Sequence, residues 1–195
     1  WQAALNGNSV LLIEHTDKIG EKIRISGGGR CNFTNLGVKP HHYLCRNTHF
    51  VKSALASYSQ HDFIKLVESH NIAYHEKTLG QLFCDNSSRQ IIDMMLGLCN
   101  EVGVKLITSC IVHDISKGDI FELQTNLGDI TAKLLIIATG GLSIPKMGAS
   151  DFGYRVASKF GINIVETRPA LVPLTICENS KSFFTSLSGI SNSSI

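Results

Sequence analysis

The residues best suited to chemistry form one glycine-rich stretch near the start of the chain. Its sequence is Ser26-Gly27-Gly28-Gly29-Arg30-Cys31-Asn32. Consecutive glycines lack side chains and permit positive φ, so a ligand can approach their backbone closely. Backbone N–H groups in such a loop can cradle an anion, and the Arg30 guanidinium can pair with phosphate oxygens. Together with Lys22 just upstream, the stretch predicts a site for a phosphate-bearing ligand rather than a flexible linker.

A second candidate is the acidic residue that ends the first apolar run, Ser9-Val-Leu-Leu-Ile-Glu14. The run is typical of a short buried strand. In a dinucleotide-binding βαβ unit, the acid at this position accepts hydrogen bonds from a ribose, about 20 residues beyond a Gly-rich turn. Counting back from Glu14 by that distance passes Trp1, so we expect the turn upstream of this sequence. The alternative is that Glu14 is simply the polar end of a strand.

A third candidate is Ala138-Thr139-Gly140-Gly141, which follows the apolar residues Leu134-Leu-Ile-Ile137. A buried strand that ends in small residues lets a cofactor approach its backbone. In open α/β sheets, ligands lie at the carboxyl ends of the strands. A plain strand followed by a glycine turn explains this segment equally well.

The elements that must position these residues alternate between strand and helix. Apolar periodicity predicts helices over Phe50–Ser59, His61–His70, Ser88–Val102 and Asp151–Phe160. Extended segments are predicted at Ser9–Glu14, Ile72–His75, Gln81–Cys84, Val104–Thr108, Cys110–Ile115, Asp119–Thr125, Ile130–Thr139 and Thr167–Thr175. The stretch from His15 to Asn35 is expected to be a loop. This alternation predicts an α/β fold with a doubly wound sheet.

Composition argues against several classes of partner. The net charge is +2 and no run of like charges occurs, so we expect no nucleic-acid partner. No segment approaches the roughly 18 apolar residues that a membrane helix needs. The six cysteines include no C-x-x-C pair, so we expect no metal site and free thiols in a reducing cytoplasm. The expected partner is a small-molecule substrate.

Four stretches together resemble one known family, and the match extends in order over nearly the whole chain. They are Lys22-Ile-Arg-Ile-Ser-Gly-Gly-Gly-Arg-Cys-Asn-Phe-Thr-Asn35, Tyr74-His-Glu-Lys-Thr-Leu-Gly-Gln-Leu-Phe-Cys84, Ala138-Thr-Gly-Gly-Leu-Ser-Ile-Pro-Lys-Met-Gly148 and Arg168-Pro-Ala-Leu-Val-Pro-Leu174. They resemble the bacterial BaiN/RdsA-like NAD(P)/FAD-dependent oxidoreductases, also called aminoacetone oxidase-like flavoproteins. The resemblance implies a Rossmann-like FAD-binding domain, incomplete at both ends in this sequence. It further implies a partial FAD-binding domain at 1–175 and the truncated start of an inserted domain at 176–195.

The resemblance also assigns roles to the candidate residues. Glu14 matches the acid that binds the ribose, and Val112 lies in the segment whose backbone meets the adenine. The segment along the pyrophosphate and flavin comprises Lys22, Ser26, Gly27, Gly28, Gly29, Arg30, Cys31 and Asn32. The strand end close to the cofactor comprises Ala138, Thr139, Gly140 and Gly141. Cys31 lacks a C-x-x-C partner, so we expect it to pack against the cofactor rather than to act in redox chemistry.

The activity that the resemblance implies is hydride transfer from NADH or NADPH through FAD to an organic acceptor, such as an unsaturated carbonyl compound. The cofactor carries this chemistry while the protein supplies position and electrostatics. The sequence identifies no catalytic acid or base, although His75, Glu76 and Tyr154 are candidates. Two alternatives stay open. One is a flavin oxidase that uses O₂, and the other is a non-catalytic flavoprotein, either an RNA-modification partner or an inactive fragment.

Overall fold

The computed structural model describes residues 1–143 and 149–169, together with Cys177 and Thr185. The chain forms two compact units, Trp1–Val156 and Ala157–Ile195. The predicted inserted-domain start at 176–195 lies outside the described residues, apart from Cys177 and Thr185. Among the residues that are described, every helix is too short or too polar to span a lipid bilayer.

The secondary structure alternates between helices and short strands. The helices are α1 (Gln2–Leu5), α2 (Glu21–Gly29), α3 (Lys52–Ser57), α4 (Gln60–Ser69), α5 (Arg89–Glu101) and α6 (Phe152–Lys159). The strands are β1 (Leu11–Ile13), β2 (Asn32–Asn35), β3 (Tyr74–Glu76), β4 (Gln81–Cys84), β5 (Lys105–Ile107), β6 (Val112–Lys117), β7 (Phe121–Thr125) and β8 (Gly128–Ala132).

The first sheet is the parallel pair β1–β5, in which Leu12 lies opposite Leu106. Helix α5 precedes β5 and buries Ile91, Ile92 and Met94, which recur at helical spacing. Parallel pairing requires a crossover, and helices lie between these two strands in the sequence. The predicted α/β fold is confirmed, but the described residues contain one parallel pair of strands rather than a doubly wound sheet.

The second sheet has the order β2-β4-β3, and both pairs are antiparallel. Phe83 in the central strand lies opposite Asn32 on one side and His75 on the other. Helix α4 contacts β2 and begins with a capping box. In that box Asp62 Oδ2 accepts from Ser59 N at 2.8 Å, and Ser59 Oγ accepts from Asp62 N at 3.3 Å.

The main core lies where α4, α5 and the second sheet meet. Its buried members are Cys31, Val67, Ile72, Cys84, Ile91 and Met94. They come from the sequence before β2, from both helices, and from the two ends of the β3–β4 hairpin. The glycine-rich stretch ends next to Cys31, which belongs to this core. Packing of Cys31 therefore fixes the position of the stretch.

The third sheet is the antiparallel meander β6-β7-β8. Ile115 and Leu123 are buried and lie opposite each other in the register. The two extended segments predicted on either side of Lys117-Gly118 are therefore confirmed as β6 and β7. Cys110, just before β6, is also buried.

Two sequence predictions were wrong in part. The stretch His15–Asn35 was expected to be a loop, but it contains a helical turn and β2. The helix was missed because its regular part, from Glu21 to Ile25, is too short to show periodicity. The strand expected at Ile130–Thr139 stops at Ala132, where it leaves the meander, and 133–143 have no regular structure.

Candidate functional site

The glycine-rich stretch is a run of left-handed backbone rather than regular helix. α2 loses helical geometry at Ser26, whose ψ is 142°. The next three residues have φ of 59°, 66° and 86°, and Cys31 has φ of 54°. L-residues with a Cβ rarely adopt these values, which explains the three consecutive glycines. We call residues Ser26–Cys31 the glycine loop.

An aromatic ring occupies the space for a side chain at Gly27, whereas that space is open at Gly28. A Cβ on Gly27 would lie 2.5 Å from Cε1 of Phe83, so only glycine fits beneath that ring. A Cβ on Gly28 would meet nothing within 4 Å. The loop therefore packs against β4 at Gly27 and leaves the backbone at Gly28 accessible to a ligand.

Ser88 anchors the glycine loop to the start of α5. Its Oγ donates to the Arg24 carbonyl at 2.8 Å, and its N–H donates to the Gly29 carbonyl at 2.8 Å. Ser88 is 2% exposed, so water cannot substitute for these bonds. Sequence reasoning missed this residue, because a serine before a helix is read as a local cap.

Cys31 points into the core, which leaves only its backbone for a cofactor. It is 4% exposed and packs with Val67 and Cys84. Burial raises the pKa of the Cys31 thiol, and a hydrogen bond with Ser26 opposes that rise. Burial also raises the pKa of Cys84 to about 11. Both thiols are thus held protonated, which is unlike a reactive cysteine.

Of the two polar residues that flank Cys31, the Asn32 side chain is hydrogen-bonded within the protein and the Arg30 side chain is exposed. The Asn32 amide nitrogen faces the carbonyls of Leu82 and Thr34 at 3.2 and 3.0 Å, so it stabilises the β2–β4 pairing. The Arg30 carbonyl accepts from Cys84 N at 2.9 Å, while its side chain is exposed. Within the described residues no acid pairs with the Arg30 guanidinium, so that cation remains available to an anion.

Glu14 lies directly after β1, at the carboxyl end of the parallel pair. Its Oε1 accepts from Thr16 N at 2.9 Å and from Thr16 Oγ at 3.0 Å, and lies 2.9 Å from His15 Nδ1. No donor in the described part of the chain contacts Oε2. One oxygen is therefore held in place while the other can accept from a ribose hydroxyl.

The segment that leads to Val112 lies beside Glu14. Cys110 N donates to the Glu14 carbonyl at 3.0 Å, and Ser109 N donates to the Thr16 carbonyl at 2.8 Å. Val112 begins β6 two residues later. The structure therefore places Glu14, which the resemblance assigned to the ribose, beside the segment that leads to Val112, which the resemblance assigned to the adenine.

Lys22 lies against the segment 138–141. A Cβ on Gly140, where φ is 72°, would lie 2.9 Å from Lys22 Nζ. A Cβ on Gly141 would lie 2.7 Å from the Tyr154 hydroxyl. Ala138 and Thr139 are exposed in the same segment. Because these two residues are glycines, the Lys22 amine and the Tyr154 hydroxyl can lie close to the backbone of the segment.

A histidine–aspartate pair lies one aromatic ring away from the glycine loop. His75 Nδ1 lies 2.7 Å from Asp85 Oδ1. The His75 ring is stacked on Phe83 with centroids 6.2 Å apart, and Phe83 in turn covers Gly27. Lys77 Nζ lies 5.2 Å from the same Phe83 ring centroid. Asp85 fixes one imidazole nitrogen and leaves Nε2 to exchange a proton.

These residues fit parts of a flavin dinucleotide. The open backbone at Gly28 forms a cradle that a side chain would fill. Lys22 and Arg30 are exposed cations for a pyrophosphate, and among the described residues no acid pairs with either. Glu14 has one oxygen free for a ribose. No cluster of three or more metal-ligating side chains occurs in 1–143 and 149–169.

Comparison with known proteins identifies a family for the whole chain. The family described as HI0933-like protein Rossmann domain matches residues 1–195. The predicted Rossmann-like domain is therefore confirmed. The relatives that are found agree with the family that the four sequence stretches resemble.

Three relatives are informative. The chain is 49% identical over 195 residues to the ribosomal RNA dihydrouridine synthase of Haemophilus influenzae, covering 97% of this chain and 48% of that protein. It is 52% identical over 171 residues to the enzyme of the same name from Escherichia coli, covering 87% and 43%. It is 24% identical over 172 residues to the 3-dehydro-bile acid delta(4,6)-reductase of Clostridium scindens, covering 86% and 41%. The chain spans about half the length of these relatives.

Proposed function

The chain belongs to the HI0933-like Rossmann family, and on that basis we propose that the whole protein is a FAD-dependent reductase of ribosomal RNA uridine. The reaction is the addition of a hydride and a proton across a carbon–carbon double bond conjugated to a carbonyl group. The observation that carries the proposal is the 49% and 52% identity to two enzymes named ribosomal RNA dihydrouridine synthase.

The chemistry named by the relatives supports one acceptor class. Dihydrouridine is uridine reduced at its C5–C6 double bond, which is conjugated to the C4 carbonyl. The name 3-dehydro-bile acid delta(4,6)-reductase likewise describes reduction of double bonds in a ketone. Both acceptors are unsaturated carbonyl compounds, the class expected from the sequence. Choosing an RNA uridine departs from the expectation of no nucleic-acid partner, which rested on overall charge.

The residues of this chain would hold FAD at its phosphates and ribose. Lys22 and Arg30 supply positive charge, Glu14 Oε2 accepts from a ribose hydroxyl, and the backbone at Gly28 approaches the cofactor without a side chain between. FAD, when bound, supplies the hydride to the acceptor. NADH or NADPH is the proposed reductant.

The proton that completes the reduction is assigned to His75. Its Nδ1 lies 2.7 Å from Asp85 Oδ1, and this hydrogen bond orients the ring. The ring lies against Phe83, which covers Gly27 of the glycine loop. Nε2 is therefore the atom from which a proton would pass to uracil C5 after hydride reaches C6.

The proposed compartment is the cytoplasm, where ribosomal RNA occurs and thiols stay reduced. Within the described residues, Cys31, Cys84 and Cys110 are buried without forming disulfides, and Cys45 and Cys99 are unpaired as well.

The test uses the purified whole protein with FAD under anaerobic conditions. We expect flavin absorption bands that bleach with NADH or NADPH. We also expect dihydrouridine, detected by mass spectrometry of nucleosides, after incubation with ribosomal RNA from cells that lack the protein. A protein that takes up no FAD contradicts the proposal. Bleaching with peroxide release in air and no dihydrouridine would favour the O₂-dependent oxidase instead.

A further inference from the structure

Acidic residues are absent from one long part of the sequence. Between Glu21 and Asp62 there are six lysines and arginines, four histidines and no aspartate or glutamate. The whole chain has 18 basic and 16 acidic residues, so the remainder has twelve basic and sixteen acidic residues. The net charge of +2 therefore conceals a basic part of the sequence between Glu21 and Asp62 and an acidic remainder. A polyanion responds to the local field of such a surface rather than to net charge.

Three of these six lysines and arginines, Lys39, Arg46 and Lys52, lie in one loop-like segment whose ends meet. We call residues 36–60 the basic segment. It leaves the end of β2 at Leu36, whose N–H donates to the Gly80 carbonyl at 2.9 Å. It returns at Gln60, whose Nε2 donates to the Leu36 carbonyl at 3.1 Å. The two ends therefore meet, and the residues between them project from the edge strand of the second sheet.

The basic segment exposes cations and aromatic rings together. Every residue from 41 to 50 is exposed, and Leu44 and Phe50 are 91% and 72% exposed. Tyr43 and Tyr58 are also exposed. Lys39, Arg46 and Lys52 are exposed, and within the described residues no acid pairs with any of them. Positive charge beside exposed rings is the combination by which proteins bind single-stranded nucleic acid, through phosphate contacts and base stacking.

We propose that the basic segment binds single-stranded RNA and presents it to the glycine loop. This inference rests on the proposed function, because it assigns the surface that holds the proposed substrate. β2 is the only element between the glycine loop and the basic segment, and its four residues span about 13 Å at roughly 3.3 Å per residue. The near end of the basic segment thus lies within about 13 Å of the glycine loop along β2, and Lys22 and Arg30 are exposed cations on the loop side.

A protein partner is the competing occupant of this surface. Cores of protein–protein interfaces are depleted of lysine, and charges there need opposite partners. The basic segment carries unpaired cations of a single sign, which fits a phosphate backbone better. RNA is therefore the occupant to which the proposal commits.

The experiment measures RNA binding by the whole protein with FAD bound. The probe is a fluorescein-labelled 20-nucleotide oligouridylate, followed by fluorescence anisotropy at several salt concentrations. The test variant combines Lys39→Gln, Arg46→Gln and Lys52→Gln. The matched control combines Lys105→Gln, Lys117→Gln and Lys133→Gln, which removes three exposed lysines outside the basic segment.

We expect the test variant to bind about tenfold more weakly near 0.1 M salt, with a salt slope reduced by about 2, because each single-strand phosphate contact contributes about 0.7 to the slope. The control should bind like wild type. Equal losses in both variants, or a test variant that binds like wild type, would overturn the inference. So would a test variant whose RNA affinity is unchanged but whose assembly state changes, since that identifies a protein-binding surface.

A second readout separates this inference from the proposed function. Dihydrouridine formation is followed in ribosomal RNA, with KM and kcat measured for each variant. A higher KM with unchanged kcat and unchanged bleaching of the flavin supports the basic segment as the RNA-binding surface. If wild type makes no dihydrouridine but binds RNA through the basic segment, the proposed function fails and the surface stands. If the wild type and the test variant make dihydrouridine with the same KM, the RNA-binding inference is refuted and the proposed function is not.

Discussion

Lys22 Nζ lies 2.9 Å from the point that a Cβ on Gly140 would occupy. The contact joins the helical turn before the glycine loop to the segment after β8, two parts that the sequence assigned separately to one cofactor. No side chain can stand at residue 140 unless the Lys22 amine moves. The position of this cation is thus coupled to the absence of a side chain on the opposite segment.

Gly140→Ala should weaken FAD binding by displacing Lys22. Gly161→Ala is the matched control, because its φ of 71° almost equals the 72° of Gly140 but nothing lies within 4 Å of its Cβ position. Both variants bear the same backbone cost of about 1 kcal/mol for a left-handed L-residue. Titration of the apoprotein with FAD should show a raised dissociation constant for Gly140→Ala alone, and the rise should be small because the displaced amine ends a flexible side chain. Similar affinities in the two variants would argue against a role for Lys22.

Gly27→Ala should destabilise the protein far more than Gly28→Ala. The two glycines have φ of 59° and 66°, so their backbone costs are alike. Only the first would place a Cβ 2.5 Å from the Phe83 ring, which adds an overpacking cost of about 1–3 kcal/mol. Urea unfolding measures the difference. Adding Phe83→Leu should recover part of the loss in Gly27→Ala, and failure to do so would show that ring contact is not its cause.

Ser88→Ala should lower the free energy of unfolding by about 1 kcal/mol, since the half-buried Arg24 carbonyl loses its donor. Ser53→Ala, on the exposed face of α3, is the control and should change stability by less than about 0.5 kcal/mol. Thermal unfolding of both variants checks this. Indistinguishable melting temperatures would mean that the glycine loop does not depend on Ser88.

The stability of the protein should fall at alkaline pH because of Cys84. Its pKa is raised from 9.0 to about 11, so the folded state keeps a proton that the unfolded state releases above about pH 9. The contribution is therefore complete below pH 9 and is lost as pH rises to about 11. Urea midpoints from pH 8 to 11.5 should decline less steeply in Cys84→Ala than in wild type. Parallel curves would contradict the prediction.

His75→Gln should slow uridine reduction by about 10²–10⁴-fold if His75 supplies the proton. Bleaching of the flavin by NADPH should be unchanged, because that half-reaction needs no proton from Nε2. His113→Gln, an exposed histidine in β6, is the control. Asp85→Asn should also slow uridine reduction, because it removes the carboxylate that orients the His75 ring. An unaltered rate in both site variants would remove His75 from the mechanism.

Patterns that are local in sequence predicted most of the fold. Apolar periodicity was sufficient for α4 and α5, and alternation with a short turn was sufficient for the β3–β4 hairpin. The turn at Glu21–Ile25 was not predicted, because one turn of helix cannot show a period. The end of β8 was not predicted either, because pairing in the meander, rather than apolar character, determines where that strand stops.

The candidate site was predicted by residue type but not by contact. Left-handed backbone in the glycine loop follows from three glycines in a row. The ring of Phe83 over Gly27 and the hydrogen bonds of Ser88 join residues far apart in sequence. Such contacts depend on how the second sheet packs against α2 and α5, which no local pattern encodes. The proposed role of His75 likewise depends on contacts that the sequence does not reveal, namely its hydrogen bond with Asp85 and its stacking on Phe83.

The two ends of the basic segment meet, which bears on how far its length can change. Because Leu36 and Gln60 are hydrogen-bonded to each other, the chain closes a loop at this point. Doubling the length of such a loop costs only about 0.6 kcal/mol of closure entropy. We therefore expect the basic segment to tolerate changes of length. We also expect its replacement to alter RNA binding while the glycine loop keeps its contacts with Phe83 and Ser88.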